Sequence, residues 1–180
     1  MKALQHFGLA LTMALSTLFI SCSSDDGGSG GGFSGPASGT FIKAKAGGSN
    51  FLAEGTFASG GFASGNLVLT GTTTTGKSIG IQLYALDGTL DVGTYDVGAL
   101  SNNSAYSGNL TFIDVNTSTF AVVTYNSVFC DSSTGTIEIT HVDANKIEGT
   151  FSFNGKEVRE GEDCSGATKN VTNGSFRLEL

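Results

Sequence analysis

The stretch that decides the fold is GTIEITHVDANKIEGTFSF, residues Gly135–Phe153. Apolar and polar side chains alternate with a period of two in each half, which is typical of half-buried β-strands. Ile137 and Ile139 share one face of the first half, and the phenylalanines share one face of the second. Because Asp143 and Asn145 lie between the halves, the stretch predicts an antiparallel hairpin.

The same alternation recurs along the rest of the chain, and no long window has the helical period of 3.6. The 27 glycines and the single proline agree with this pattern, since proline removes a hydrogen-bond donor from a strand and glycine permits tight turns. The predicted strands are Thr40–Ala46, Phe51–Ala58, Asn66–Thr72, Ser78–Leu86, Gly93–Val97, Asn109–Val115, Phe120–Tyr125, Gly135–Val142, Lys146–Asn154 and Ser175–Leu180. We therefore predict an all-β domain, an antiparallel β-sandwich or a flattened β-barrel of about 9–10 strands.

The N-terminus has the features of an export signal. Lys2 supplies a positive start, and an apolar run follows from Phe7 to Ile20. A helix of about 14 residues spans only about 21 Å, less than the ~30 Å hydrocarbon core, so this run favours a cleaved signal over a membrane span.

A cysteine ends this signal. Leu18–Cys22 resembles a bacterial lipobox, in which a lipid is attached to the cysteine, although Phe19 stands where the usual pattern has Leu, Val or Ile. An ordinary secretory signal remains the alternative. We predict a lipoprotein signal peptide over residues 1–21, lipidated Cys22 with a flexible Gly/Ser tether over 22–38, and a single all-β domain over 39–180.

The residues after the cysteine indicate a location. Ser23–Asp26 and the Gly/Ser tether resemble lipoproteins of Bacteroidota, in which acidic residues after the lipidated cysteine are associated with export to the outer face of the outer membrane. The resemblance implies a lipid-anchored outer-membrane protein displayed on the cell surface. The membrane would then be a partner through the lipid on Cys22.

The charge balance excludes one class of partner. The chain has 16 acidic and 9 basic residues and a net charge of −7, whereas nucleic-acid binding requires clustered Lys and Arg. No nucleophile or phosphate-loop motif occurs, and we predict neither a cofactor nor a catalytic residue. The expected partner is an envelope protein or a glycan.

Cys130 and Cys164 remain as a pair if Cys22 is acylated. An exported protein lies in an oxidising compartment, so we predict a disulfide between them. The disulfide would link the loop after the Phe120–Phe129 segment to the polar loop predicted over Gly155–Lys169. A metal or catalytic thiol is disfavoured, since no Cys-x-x-Cys occurs and His141 is the only histidine after the signal.

Few side chains suggest a ligand site. His141 lies at the end of a predicted strand. It could act as a general base with Asp143 or Asp131, or it could simply fill a position at the rim of the sheet. Tyr84 lies on the polar side of its strand and is a possible ligand contact. Four acidic residues in the predicted loop form a calcium candidate without EF-hand spacing, namely Glu157, Glu160, Glu162 and Asp163.

Three segments resemble a family of small Bacteroidota lipoproteins whose all-β domain has no assigned function. They are Gly93–Asp96, the hairpin Gly135–Phe153 and Val171–Phe176, with Asn173-Gly174 as a predicted turn. The resemblance implies an all-β fold and an envelope location.

These observations favour a non-enzymatic binding or interaction module on the outer membrane. One alternative is a carrier with an apolar β-barrel cavity for a small ligand. Another is a glycan hydrolase with two carboxylates about 5–10 Å apart. Glu138 and Glu148, however, lie on the predicted solvated face of their strands, which disfavours the hydrolase. A final alternative is that the protein is a subunit of a larger surface complex.

Overall fold

The computed structural model describes residues 32–101, 103–162 and 164–180. The predicted signal, Cys22, the tether as far as residue 31 and the calcium candidate Asp163 lie outside these ranges, as does the side chain of Glu162. The described chain contains no α-helix and eleven strands: β1 (Phe41–Ala46), β2 (Ser49–Glu54), β3 (Ala58–Ala63), β4 (Asn66–Thr72), β5 (Lys77–Ala85), β6 (Gly93–Asp96), β7 (Tyr106–Val115), β8 (Val122–Asn126), β9 (Thr134–Val142), β10 (Lys146–Glu157) and β11 (Thr168–Glu179).

All eleven strands form one antiparallel sheet in a nearly closed barrel. Nine follow the order β2-β1-β11-β10-β8-β7-β5-β4-β3, and β9 joins β10 to β6. The two end strands, β2 and β3, are separated only by the 3₁₀ turn Gly55–Phe57, so chain continuity brings the two ends of the sheet together. The predicted all-β fold is confirmed, and the open choice between sandwich and barrel resolves to a nearly closed barrel.

Glycine permits the closest approach across this junction. Gly71 on β4 faces β1 and β2, and a Cβ at this position would lie 2.8 Å from Ala53 Cβ and 3.2 Å from Ile42 Cβ. The first distance is shorter than real Cβ contacts and the second is at the tight end of them, so any larger residue here would force these strands to shift.

The inward faces of the strands build one apolar core. On β5 the predicted alternation is confirmed, with Ile79, Ile81 and Leu83 fully buried. Phe57 is an exception to the predicted pattern and is 50 % exposed, because the 3₁₀ turn breaks the period of two between β2 and β3.

The final strand is much longer than predicted. β10 continues to Glu157 and β11 begins at Thr168, so the predicted loop contracts to residues 158–167. Asn173-Gly174 is no turn: it lies inside β11, where the pairing with β10 shifts register between Phe151 and Phe153. Asn173 lies in the resulting bulge, and its positive φ of 52° is a conformation that Asn also adopts in turns.

The segment Phe33–Ser38, which we call the strap, packs on the outside of the barrel, although the sequence predicted it as part of the tether. Ser34 N donates a hydrogen bond of 3.1 Å to Ser175 Oγ. Phe41 points outward from β1 yet is fully buried, with the Phe33 ring 6.0 Å from its own. The tether predicted over 22–38 is therefore wrong for Phe33–Ser38.

Beneath the strap lies a buried ion pair between β10 and β11. Arg177 Nε contacts Glu148 Oε1 at 2.6 Å, and Arg177 Nη1 donates to the Pro36 carbonyl oxygen at 3.0 Å. Both charged residues are less than a tenth exposed, so the predicted solvated face is wrong for Glu148. Burial by itself raises the pKa of Glu148, but the hydrogen bonds and charges of Arg177 and Lys146 outweigh it and lower that pKa below its ordinary value.

The predicted disulfide is confirmed. Cys130 and Cys164 are bonded, with their Cα atoms 5.9 Å apart and a sequence separation of 34. The bond links the segment after β8 to the connection between β10 and β11. Closing a loop of this length is expected to stabilise the fold by about 3–4 kcal/mol.

The buried ion pair generates a stability prediction with a defined pH dependence. Glu148→Gln leaves Arg177 buried without a counter-charge and is expected to lower the free energy of unfolding at pH 7 by on the order of 3 kcal/mol. Because the folded pKa of Glu148 is lowered, its stabilising contribution is present above the ordinary value of 4.5 and is lost as the pH falls through the folded pKa. The gap between wild type and variant should therefore shrink in acid, as measured by urea denaturation from pH 7 to pH 3.

Glu138→Gln is the matched control, since Glu138 is an exposed carboxylate on the neighbouring strand β9. Its expected effect is within about 0.5 kcal/mol. A pH-independent gap for Glu148→Gln would contradict the assigned role of the ion pair.

Candidate functional site

A surface cleft of about 330 Å³ lies where the end of β6 meets the β5–β7 pair. We call it the Tyr84 cleft. Strand residues form one wall, and the connection between β6 and β7 forms the other. Its main polar and aromatic lining residues are Tyr84, Asp96, Ser101, Asn103, Tyr106 and Asn109.

Strand periodicity places Tyr84 on this outer wall. Ile81 and Leu83 point into the barrel, so Gln82 and Tyr84 point outward, as the sequence predicted. Tyr84 pairs with Ser107 on β7 and is half-buried. The structure thus places this predicted ligand contact in a cleft, while its role in binding stays a prediction.

Gly108 lets the opposite wall come close. A Cβ at this position would lie 2.5 Å from the Gln82 carbonyl oxygen and 2.9 Å from Val97 Cγ1. Glycine here therefore allows the chain that follows β6 to pack directly on β7.

Hydrogen bonds hold the two walls together. Asp96 N donates to the Tyr106 hydroxyl at 3.0 Å, and Gly98 N donates to Asp96 Oδ1 at 3.0 Å. Ser101 Oγ donates to the Asp96 carbonyl oxygen at 2.6 Å. The edge-to-face contact between the Tyr95 and Tyr106 rings, 5.0 Å between centroids, fixes the ring of Tyr106. The cleft is therefore built before any ligand arrives.

Several polar groups in the cleft stay available. Within the described part of the chain, the Tyr84 hydroxyl, Asp96 Oδ2 and Asn103 Nδ2 have no hydrogen-bond partner. Among its described lining residues there is no lysine or arginine, and Asp96 is the single carboxylate. Of these residues the sequence identified Tyr84, because Asp96 lies in a predicted strand and Asn103 resembles an ordinary turn residue until the chain after β6 is placed across β7.

A second surface cleft, of about 360 Å³, lies on the outer face of β6, β9, β10 and β11. We call it the threonine cleft, since Thr94, Thr136, Thr150 and Thr172 line it. Thr150 Oγ1 donates to Glu138 Oε2 at 3.1 Å, which occupies the only carboxylate among the described lining residues. The single aromatic lining residue there, Phe151, is 4 % exposed, so this cleft has no open ring face.

His141 pairs with Asp143, the first of the two partners considered from the sequence. His141 Nε2 lies 2.8 Å from Asp143 Oδ2 at the turn between β9 and β10, and both side chains are exposed. The hydrogen bond from His141 and those from the backbone N–H groups of Asn145 and Lys146 lower the pKa of Asp143 to about 2. The pair lines neither cleft and caps the hairpin turn, which matches the rim interpretation.

The acidic run in the loop after β10 is partly engaged by the protein itself. Glu157 binds Arg159 at 3.1 Å and accepts a hydrogen bond of 2.9 Å from Ala167 N. Over residues 32–101, 103–162 and 164–180, no three His, Cys, Asp or Glu side chains converge as a metal site would require. The calcium candidate gains no support from these residues.

The barrel interior is filled with side chains. Leu67, Leu69, Leu110 and Phe112 have no exposed surface at all. A cavity able to hold a ligand would leave part of such side chains accessible. The carrier alternative, which requires an apolar cavity lined by Phe and Leu, therefore does not fit the described barrel.

Residues 39–177 match the sequence model of a family described as a domain of unknown function, DUF6252. The chain belongs to this family. No curated protein matches the chain, and no solved structure does. The DUF6252 domain begins directly after the strap and includes both clefts and both cysteines of the disulfide. Over the described ranges, no helix of the chain has the length and apolarity that a bilayer crossing demands.

The wall of the Tyr84 cleft can be loosened at one hydrogen bond. Tyr106→Phe removes the acceptor of the Asp96 N–H, and the loss of one such bond, about 1 kcal/mol, corresponds to roughly fivefold faster amide exchange at Asp96. Hydrogen exchange followed by NMR measures this rate. Tyr125→Phe, on β8 outside the cleft, is the control and should leave exchange at Asp96 unchanged; equal rates in all three proteins would contradict the role of Tyr106.

Proposed function

We propose that this protein is a lipoprotein, anchored in the outer membrane through Cys22 and displayed on the cell surface, whose DUF6252 barrel is a non-enzymatic binding module. The Tyr84 cleft is its binding site. The observation that carries this proposal is an outward-facing cleft, lined by the aromatic side chains of Tyr84 and Tyr106 and by several unpartnered hydrogen-bonding groups, on an otherwise filled barrel.

Export is supported from two independent directions. The lipobox-like Leu18–Cys22 and the acidic Ser23–Asp26 support an anchored, surface-exposed lipoprotein from the sequence. The bond between Cys130 and Cys164 supports an oxidising compartment, since structural disulfides persist mainly outside the cytosol. A cytosolic location would account for neither the lipobox-like segment nor the disulfide.

The carboxylates support binding over hydrolysis. Each cleft contains a single carboxylate among its described lining residues, Asp96 in one and Glu138 in the other. Glycoside hydrolysis uses two carboxyl groups about 5–10 Å apart. Glu148 is buried against Arg177 and thus unavailable to a substrate. The described lining residues of either cleft therefore lack the pair of carboxylates that a glycan hydrolase would need for catalysis.

The anchor yields a direct prediction. A cell fed a radiolabelled fatty acid should incorporate label into the wild-type chain, and Cys22→Ala should lose it, because only the cysteine of the lipobox accepts the lipid. The wild type should sediment with outer membranes and bind antibody on intact cells.

Cys130→Ala is the matched cysteine control and should keep its label. Label retained in Cys22→Ala would overturn the anchor. Antibody binding only after the outer membrane is permeabilised would overturn surface display and leave the anchor in place.

A further inference from the structure

We propose that the ligand of the Tyr84 cleft is a neutral sugar ring, stacked on Tyr84. This inference rests on the proposed binding role of that cleft and adds the chemical class of the ligand. It follows from the charge of the cleft, the number of its open aromatic faces and the hydrogen-bonding groups it leaves unpartnered.

Charge excludes an anion. The cleft has no lysine or arginine among its described lining residues, and Asp96 supplies a negative charge. The whole chain is also acidic, with a net charge of −7. An anionic ligand would lose part of its hydration beside a like charge without gaining a counter-charge.

The number of open aromatic faces disfavours an organic cation. Sites for quaternary ammonium groups surround the cation with several aromatic rings. Here the described lining residues include two aromatic rings, Tyr84 and Tyr106, and the Tyr106 ring is packed edge-to-face against Tyr95, so no cage of several rings is formed. Asp96 is only partly available as a counter-ion, because its Oδ1 already accepts a hydrogen bond from Gly98 N.

The unpartnered polar groups disfavour an apolar ligand. Covering the Tyr84 hydroxyl, Asp96 Oδ2 and Asn103 Nδ2 with hydrocarbon would remove their water and replace it with nothing, which is costly for each group. A ligand of this cleft must therefore both donate and accept hydrogen bonds.

A sugar ring meets all three conditions. Its hydroxyl groups donate and accept, so one can donate to Asp96 Oδ2 while another accepts from Asn103 Nδ2. Its C–H face can lie on the apolar body of Tyr84, whose hydroxyl remains free for a further hydrogen bond. A volume of about 330 Å³ is at the lower end of ligand sites, which suits a mono- or disaccharide.

The test measures binding by isothermal calorimetry on the acylated, full-length mature protein in detergent micelles. The neutral probes are the methyl glycosides of glucose, galactose, mannose and N-acetylglucosamine. Methyl glucuronide and glucosamine are the charged probes, which share the same ring. We expect a neutral glycoside to bind, methyl glucuronide to bind at least roughly tenfold more weakly, and Asp96→Asn to remove that difference.

Three variants test the stacking. Tyr84→Ala should weaken binding roughly tenfold or more, whereas Tyr84→Phe keeps the ring and should lose less. Glu138→Gln, in the threonine cleft, should bind like wild type. Circular dichroism of each variant establishes that the barrel is folded, and Tyr84→Phe keeps the test informative if Tyr84→Ala is unstable.

The possible results separate the two proposals. If only glucosamine or only methyl glucuronide binds, and Tyr84→Ala weakens that binding, the neutral-sugar inference is wrong and the binding role of the cleft stands. If no probe binds the wild type, or if Tyr84→Ala binds as the wild type does, both proposals fall.

Discussion

The structure depends on one constraint: a single antiparallel sheet must nearly close on itself around an apolar interior. Closure requires every strand to send alternate side chains inward, and it requires the two ends of the sheet to meet. The chain meets the second condition with one turn, at Gly55–Phe57. This turn joins β2 to β3, and these two consecutive strands are the two ends of the sheet. Gly71 then allows β4 to approach Ala53 and Ile42 without a clash.

A filled interior directs polar and ionic interactions to the outside. The Glu148–Arg177 pair illustrates this, because it lies on the outer face of β10 and β11, where the strap and the Phe41 ring cover it. The strap in turn is held by the Pro36 carbonyl oxygen and by the Phe33 ring, whose centroid lies 5.5 Å from the Arg177 guanidinium. A short segment next to the predicted membrane anchor thus completes the fold of a distant sheet face.

The Tyr84 cleft arises where regular pairing ends. β6 has only four residues and pairs with β9 alone, and the chain that follows it leaves the regular ladder and crosses β7 at Gly108. That crossing positions Asp96, Ser101 and Asn103 opposite Tyr84 and Tyr106. A regular sheet supplies the rigid aromatic wall, and an irregular connection supplies the polar groups, which is the usual division between scaffold and site.

The sequence by itself determined what depends on neighbouring residues. Period-two alternation identified β4 and β5 and the outward face of Tyr84, because side-chain direction in a strand is a local property. The pair Cys130 and Cys164 followed from counting cysteines in a chain predicted to be exported. Only the tertiary structure decided the Asn173 bulge, the strap over Arg177 and the convergence of Asp96 with Tyr84. Each of these depends on partners far away in sequence, and such long-range pairing can override a local turn signal or bury a charge that looks solvated.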